Sequence, residues 1–444
     1  MARIIPFRGI LYNKEKVGNL TSVVAPPYDV ISPKAREMLY EKTPYNIVRI
    51  DFGKEHPGDN EQENCYTRAA RLWKEWLRDG ILIRDEQPAI YLCRETYTVD
   101  GEKRMRTGFI AAVRLENFDS GAIRPHEKTL SGPKVDRLNL LRATKVNFNP
   151  IFGLYSDPSL HIERLLSETN AAQPVSDVRD EQGNRHALLR ITDEDLIEAV
   201  TQKMAQQTLI IADGHHRYET ALHFRNEQEA HRTNHHSPIS THQSPLTNHQ
   251  YVMMYLTNLE HPGLTVLPTH RLLHKLPDFD EAVLRSHLKQ FFEIRPVPTV
   301  RELLDRMAKV ERESEQNTFG LYFGHGDFLL LTLTDRAGAV ALMAENTSSA
   351  WQTLDVAIIH AILIRHLLKM RPEVLRKGSY ISYAKDALQA VEMVDRGEHQ
   401  LALFLNPTKV TQVKAIAESG EVMPQKSTYF YPKLLTGLVM REAL

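Results

Sequence analysis

The chain alternates between short apolar runs and stretches whose apolar residues recur at helical spacing, which predicts both strands and helices. Ser32-Pro33 has the pattern of an N-cap followed by a first-turn proline, so a helix is predicted from about residue 34. Residues 61–79 predict an amphipathic helix that ends at Gly80. Apolar segments at 89–97 and 108–115 flank Asp100-Gly101, which predicts a β-hairpin.

Farther along, the residues around 123–149 are rich in charge, and they predict a loop that leads into a helix at about 135–143. A strand is predicted at 151–155. Residues 208–212 form a continuous apolar, β-branched run, which is typical of a strand buried on both faces of a sheet. This strand ends at Asp213-Gly214, and a helix is predicted to follow.

The pattern divides the chain into three parts. An N-terminal α/β domain is predicted over 1–228, a polar flexible loop rich in His, Ser, Thr and Asn over 229–250, and a C-terminal α/β or α+β domain over 251–444. The predicted fold class is therefore α/β (α+β), with two mixed-sheet units. In the C-terminal part the predicted strands are 251–257, 264–269, 318–323 and 328–333, and the predicted helices are 279–292, 300–313, 353–370, 385–395 and 408–418.

Composition narrows the class of protein. The formal net charge is −1, and no helix-turn-helix with a basic face is recognisable, so no nucleic-acid partner is expected. No run of about 18 apolar residues and no secretory signal pattern is found, so we expect no membrane partner and a cytoplasmic location. Two cysteines without CxxC spacing predict neither a zinc site nor a disulfide framework.

The strongest candidate for chemistry is the segment Asp213-Gly214-His215-His216-Arg217. It follows a buried strand and opens a helix, where backbone N–H groups and the helix dipole favour anions. Gly214 permits close approach of a ligand, and Arg217 offers a planar fork for phosphate. Asp213 is a candidate magnesium ligand or proton acceptor. The alternative is that Asp213 only caps the helix and the histidines are solvated.

A second candidate is the loop that carries His126, Glu127, Lys134 and Arg137. An HExxH zinc motif needs histidine where Leu130 stands, so that motif is excluded. The loop supplies a carboxylate, an imidazole and cations, which suit positioning a phosphate and deprotonating an alcohol. The alternative is a surface loop of ion pairs.

A third candidate, Lys426-Ser427-Thr428, follows Gln425 where a Walker A loop needs glycine, so it is not a P-loop. It is a candidate source of a lysine and two hydroxyls for a neighbouring phosphate site. The segment Pro26-Pro27-Tyr28-Asp29 is fully explained as a turn.

Seven motifs in order resemble the bacterial "domain of unknown function 1015" family. They are APPYDVI at 25–31, RPHEKT at 124–129, GPKVDRLNLL at 132–141, NFNPIFGLY at 147–155, ADGHHRYETA at 212–221, LPTHRLL at 267–273 and MPQKSTYFYPKLLTGLV at 423–439. The resemblance spans essentially the whole chain and implies phosphorylation of free L-serine. The DGHHR element also resembles that of archaeal free-serine kinases of the ParB/sulfiredoxin-like superfamily. That likeness implies that Asp213, Gly214, His215, His216 and Arg217 bind the phosphates of the donor.

The function expected from these observations is a small-molecule kinase that makes O-phosphoserine from L-serine, with pyrophosphate, ATP or ADP as the donor. Asp213 and Mg²⁺ are expected near the donor oxygens, Glu127 is the expected general base, and His126 is expected to hydrogen-bond nearby. The cations expected to neutralise the phosphoryl group are Lys134, Arg137 and Lys426. Two alternatives stay open: a ParB-like nucleotide-binding switch, and a phosphatase or nucleotide hydrolase that uses the same loop.

Overall fold

A computed structural model describes residues 1–129, 131–167, 174–235, 248–314, 316–344, 346–370 and 380–444. The chain forms two compact units. Unit 1 contains Met1–Pro125, Thr129–Thr265 and Pro432–Leu444, and unit 2 contains His126–Lys128 and Val266–Tyr431. Among the described residues, no helix is both long enough and apolar enough to cross a membrane.

Unit 1 is built around a mixed sheet with helices beside it. Its strands are β1 (Ile4–Ile5), β2 (Ile10–Tyr12), β3 (Leu82–Arg84), β4 (Ile90–Val99), β5 (Glu102–Arg114), β6 (Ile123–Arg124), β7 (Val146–Asn147), β8 (Ile151–Tyr155), β9 (Ser176–Arg179), β10 (Arg185–Ile191), β11 (Leu209–Asp213) and β12 (Tyr251–Asn258), followed near the C-terminus by a short strand, Arg441–Glu442.

The helices of unit 1 are α1 (Lys14–Val17), α2 (Leu20–Val23), α3 (Pro33–Lys42), α4 (Val48–Asp51), α5 (Cys65–Arg78), α6 (Ser131–Thr144), α7 (His161–Ser167), α8 (Glu194–Met204) and α9 (His215–His235), with 3₁₀ turns at Tyr28–Val30, Phe118–Ser120 and Asn248–Gln250. Helix α3 begins as predicted, because the Ser32 hydroxyl accepts a hydrogen bond from the backbone N–H of Ala35 and Pro33 occupies the first turn.

The main sheet of unit 1 has the order β6-β11-β8-β12-β5-β4-β10-β9, and β1 pairs with β5. β11 runs parallel to β6 and antiparallel to β8, whereas β8 runs parallel to β12. The predicted hairpin of β4 and β5 is confirmed. Asp100 and Gly101 both have a positive φ, as the two central residues of a type I′ turn require. One face of the sheet carries a core that includes Leu209, Ile211 and Tyr218.

Unit 2 contains strands β13 (Thr265–Leu267, whose first residue belongs to unit 1), β14 (His270–Leu273), β15 (Phe292–Val297), β16 (Thr318–Tyr322), β17 (Phe328–Leu333), β18 (Ile381–Ala384), β19 (Leu401–Phe404) and β20 (Tyr429–Tyr431). Its helices are α10 (Glu281–Leu288), α11 (Val300–Ser314), α12 (Arg336–Ala341), α13 (Ser349–Gln352), α14 (Asp355–Ile359), α15 (Ala387–Asp395) and α16 (Val410–Glu418), and a π-helical segment, His360–Leu367, continues α14.

The main sheet of unit 2 has the order β15-β17-β16-β19-β14-β18, and all five pairings are antiparallel. The sequence predicted mixed sheets in both units, so the second sheet differs from that expectation and fits the α+β form of the predicted class. Leu303, Tyr322 and Phe404 belong to its buried core. The predicted strands at 318–323 and 328–333 are confirmed, whereas β14, β15, β18 and β19 were not predicted.

The division into units differs from the predicted domains 1–228 and 251–444. Strand β12 follows the polar segment, yet it lies between β5 and β8 in the first sheet. The last thirteen residues also return to unit 1, and residues 126–128 belong to unit 2. These boundaries are decided by pairing between strands that are far apart in the sequence. The local composition, which suggested a linker, carries no information about that pairing.

Two helix boundaries also differ from the prediction. Helix α6 begins at Ser131 instead of about residue 135, because Pro133 lies in its first turn, where the missing N–H removes no helical hydrogen bond. Helix α9 continues to His235, through the start of the segment predicted as a polar loop at 229–250. The rest of that predicted loop, 236–247, lies outside the described residues.

Candidate functional site

The segment from Asp213 to Arg217 forms the predicted strand–turn–helix in unit 1. Asp213 ends β11, Gly214 has a φ of +89°, and α9 begins at His215. The side chain of His215 is buried and that of His216 is partly buried. The backbone N–H of Tyr218 donates to the carbonyl of Gly214 (3.0 Å), so the first helical hydrogen bond closes over the turn.

Tyr218 fixes the direction in which α9 leaves the turn. Its ring is fully buried, and its hydroxyl accepts from the backbone N–H of Glu116 (3.0 Å) and donates to the carbonyl of the same residue (2.9 Å). The ring also stacks on Phe118, with the ring centroids 5.4 Å apart. The start of the helix is therefore anchored by packing as well as by its backbone.

Gly214 is required at the turn for two independent reasons. A φ of +89° is a conformation that residues with a side chain rarely adopt. A Cβ atom at this position would lie 2.9 Å from Nη2 of Arg217, which means that the guanidinium occupies the space a side chain would need. Glycine thus lets the arginine lie directly against the turn.

Arg217 is held on one side by the loop before β8. Its Nη1 donates to the carbonyls of Pro150 (2.7 Å) and Asn149 (3.2 Å) and to Oδ1 of Asn149. The remaining guanidinium nitrogens, Nε and Nη2, lie beside Gly214. The arginine is therefore fixed in place beside the turn.

Asp213 forms an ion pair that the sequence did not predict. Its Oδ2 lies 2.8 Å from Nζ of Lys433, and its Oδ1 accepts from the backbone N–H of Gly214 (2.7 Å). Both side chains are mostly buried, which makes the pair less screened than one at the surface. Lys433 lies within the motif at 423–439, and that resemblance was the only signal in the sequence that pointed to it.

A small cavity of about 50 Å³ in unit 1 is lined by Arg217 together with Arg137, Asp51 and Tyr28. Nη1 of Arg137 donates to Oδ1 of Asp51 (3.0 Å), and its guanidinium lies 4.1 Å from the ring centroid of Tyr28. Burial raises the pKa of Asp51, and the charge of Arg137 opposes that rise. Arg137 was predicted to lie near a phosphoryl group, and in the structure its ion pairs hold it in the wall of this cavity. Asp51 and Tyr28 were not predicted as site residues.

Lys134, also predicted to contact phosphate, has a partner on α9. Its Nζ lies 2.8 Å from Oε2 of Glu219, and the other carboxylate oxygen accepts from the hydroxyl of Thr129 (2.8 Å). The ion pair is partly exposed. Lys134 therefore links α6 to α9 one turn beyond His215.

Residues 126–128 of one predicted motif and residues 423–428 of another meet in unit 2. Glu127 and Met423 form a parallel β-bridge, and Nε2 of His126 lies 2.9 Å from the hydroxyl of Thr428. Ser427 donates its hydroxyl to the carbonyl of Pro424 (2.5 Å). Two segments about 300 residues apart in the sequence thus belong to one local structure in unit 2: one carries His126 and Glu127, and the other carries Lys426, Ser427 and Thr428. Asp213 to Arg217, in contrast, belong to unit 1.

Arg271 lies beneath this structure and was not predicted as a site residue. Its side chain is fully buried, Nη1 donates to the carbonyl of Thr269 (2.7 Å), and Nη2 donates to the carbonyl of Lys426 (3.4 Å). Burial lowers its pKa, and the charge of Glu127 acts in the opposite direction. The guanidinium therefore places positive charge close to the Glu127 carboxylate.

The described residues contain no group of three or more His, Cys, Asp or Glu side chains arranged to hold a metal ion. Mg²⁺ in phosphate enzymes is commonly held by one or two carboxylates together with substrate phosphates. Asp213 fits such a role as a single carboxylate, although Lys433 is already next to it. A magnesium ion at Asp213 stays a prediction.

These features define an α/β protein with a candidate anion-binding turn at the end of strand β11, the second strand from one edge of the first sheet. The chain matches the model of the family described as "Protein of unknown function (DUF1015)" over residues 4–357, and it belongs to that family.

No curated protein matches the chain. Among solved structures, it is similar to a conserved hypothetical protein from Pyrococcus furiosus (11% identity, TM-score 0.33, covering 70% of this chain and 90% of that one). It is also similar to a free serine kinase in complex with AMP (12% identity, TM-score 0.33, covering 70% of this chain and 83% of that one). A third similar structure is C-terminally truncated SbnI from Staphylococcus aureus (11% identity, TM-score 0.33, covering 74% of this chain and 85% of that one). At this level the likeness does not assign an activity.

Proposed function

We propose that the protein is a small-molecule kinase that phosphorylates the hydroxyl of free L-serine. The observation that supports it most is the turn at Gly214, where a glycine of positive φ brings the guanidinium of Arg217 against the start of α9. A helix start with a fixed arginine is a suitable receptor for the phosphates of a donor. Pyrophosphate, ATP and ADP all carry such phosphates.

In the proposed reaction, the serine Oγ forms a bond to the terminal phosphorus of the donor, and the bond from that phosphorus to its bridging oxygen breaks. The serine proton passes to a general base, the role that the sequence predicts for Glu127. Phosphate leaves when the donor is pyrophosphate, ADP when it is ATP, and AMP when it is ADP. Mg²⁺, when bound with the donor at Asp213, would supply charge for its oxygens.

The electrostatics of unit 2 support Glu127 as the base. A general base must be ionised before it accepts a proton, and a neighbouring positive charge favours the ionised carboxylate. Arg271 provides that charge from a buried position. His126, fixed by Thr428, holds the backbone next to Glu127 in place.

The test uses the purified full chain with L-serine, Mg²⁺ and each donor in turn, and phosphoserine is detected by ³¹P NMR. Formation of phosphoserine with at least one donor is expected. Phosphate release without phosphoserine would instead identify the hydrolase, and retained nucleotide without turnover would identify the nucleotide-binding switch. Either result contradicts the proposal.

Two variants with matched controls examine the proposed roles. Arg217→Ala is compared with Arg225→Ala, because Arg225 is also on α9 and also donates to a backbone carbonyl, that of Leu115 (2.7 Å). Glu127→Gln is compared with Glu302→Gln, a helix residue of unit 2 paired with Arg306. We expect each first variant to lose activity by about 100-fold or more and each control to retain it. Equal activities within a pair would remove that residue from the mechanism.

A further inference from the structure

A second cavity, of about 400 Å³, lies wholly within unit 2 and belongs to none of the sites described above. It lies where β16 begins and β19 ends, two strands that are neighbours in the middle of the sheet. The residues that follow β19 lead into α16 and form one wall. The polar side chains that line the cavity include Asn317, Arg336, Asp355, Asn406, Lys409 and Gln412.

The cavity contains a carboxyl group and a guanidinium that are both hydrogen-bonded to the same amide. Asn317 donates from Nδ2 to Oδ1 of Asp355 (2.7 Å) and accepts at Oδ1 from Nη2 of Arg336 (2.8 Å). Asn317 is itself buried. Within the described residues, no cation lies within 4 Å of the Asp355 carboxylate and no carboxylate lies within 4 Å of the Arg336 guanidinium. Each charge is therefore oriented by the same amide without being neutralised by the other.

Two further charged residues that line the cavity form a direct ion pair. Nζ of Lys409 lies 3.2 Å from Oε1 of Glu311, and the pair is partly exposed. The backbone N–H of Lys409 is capped by Oε1 of Gln412 (2.9 Å), so this wall has a defined conformation. A ligand that enters the cavity thus meets a carboxylate and a guanidinium bridged by Asn317, together with the ion pair of Lys409 and Glu311.

We propose that this cavity binds a small zwitterion of the α-amino-acid class, with the ligand ammonium on Asp355 and the ligand carboxylate on Arg336. A planar guanidinium matches a carboxylate, and an ammonium needs hydrogen-bond acceptors. A purely anionic ligand would be repelled by Asp355 and Glu311, and a purely cationic one by Arg336 and Lys409. The inference does not depend on the kinase activity proposed above.

The protonation of Asp355 supplies a signature that a structural role would not give. The pKa of Asp355 is raised to about 7, mainly by burial and also by the charge of Glu311, against the opposing effects of the hydrogen bond from Asn317 and the charges of Lys409 and Arg271. An ammonium bound to this carboxylate favours its ionised form. Binding near pH 7 should therefore release a fraction of a proton.

The test is isothermal titration of the full chain at pH 7 with glycine, L-serine, L-alanine and L-glutamate, each in phosphate and in Tris buffer. We expect at least one of these amino acids to bind, with an apparent enthalpy that differs between the buffers because the released proton is taken up by the buffer. Asp355→Asn should weaken that binding at least tenfold and abolish the buffer dependence. Arg336→Met should weaken it by a similar factor.

The controls are Asp305→Asn and Arg312→Met, two charges on α11 that do not line the cavity. Thermal unfolding of all four variants verifies that they are folded. Binding that is unchanged in both Asp355→Asn and Arg336→Met, or absent for all four amino acids with the wild-type chain, would overturn the inference. Binding lost in Arg217→Ala but retained in the two cavity variants would also overturn it, because the ligand would then occupy the site in unit 1.

Discussion

Replacing Gly214 with alanine separates backbone strain at the turn from loss of the proposed anion site. At a φ of +89°, a residue with a side chain is strained by about 1–3 kcal/mol. The new Cβ would also lie 2.9 Å from Nη2 of Arg217, and because that nitrogen is the far end of a flexible side chain, the side chain can move away. The movement would draw Nη1 from the carbonyl of Pro150 and displace the guanidinium from the turn.

Gly121→Ala is the matched control for this substitution. Gly121 also has a positive φ, +69°, but its added Cβ would meet no atom within 4 Å. Urea unfolding should therefore show a loss of about 1–3 kcal/mol in the free energy of unfolding for both variants. Phosphoserine formation should fall by about 100-fold only in Gly214→Ala, because only there does the arginine move. If Gly214→Ala keeps the activity of Gly121→Ala, the guanidinium at the turn does not serve the reaction.

Three further predictions follow from ion pairs within unit 1. Lys433→Met should reduce phosphoserine formation by about 10- to 100-fold, because Asp213 loses the cation that orients it. The control is Lys42→Met, which removes a lysine from an ion pair at the surface, and equal rates in the two variants would contradict this role of Lys433. Arg106→Met should lower the free energy of unfolding by about 3–5 kcal/mol, since it leaves the buried Glu95 carboxylate without its partner at 2.7 Å, and a loss under 1 kcal/mol in urea unfolding would refute this. His186 is buried near the carboxylates of Glu95 and Asp180, and its pKa is raised. Its contribution to the free energy of unfolding is therefore complete below its ordinary pKa of 6.5 and declines as the pH rises above that value. His186→Gln should remove this decline from the free energy of unfolding measured against pH, and an unchanged profile would contradict the prediction.

Local patterns in the sequence were sufficient for the elements around the site. The apolar run that ends at Asp213, the glycine after it and the helix that follows were predicted because each depends on neighbours in the sequence. The hairpin at Asp100-Gly101 was predicted for the same reason. The partner of Asp213 was not predicted, because Lys433 lies 220 residues away and nothing in the spacing of charges indicates which lysine returns to the turn.

The polar segment at 229–250 was interpreted as a boundary, and the position of β12 shows why composition alone is a poor guide to domains. The register of β12 places Met254 opposite Ala111 of β5 and beside Ile151 of β8, so this strand connects the two halves of the first sheet. A chain that stopped before residue 251 would lack the middle of that sheet, and it would also lack Lys433. The candidate phosphate-binding turn therefore depends on residues from both sides of the polar segment, and the second half of the sequence is part of the structure that holds Asp213 and Arg217.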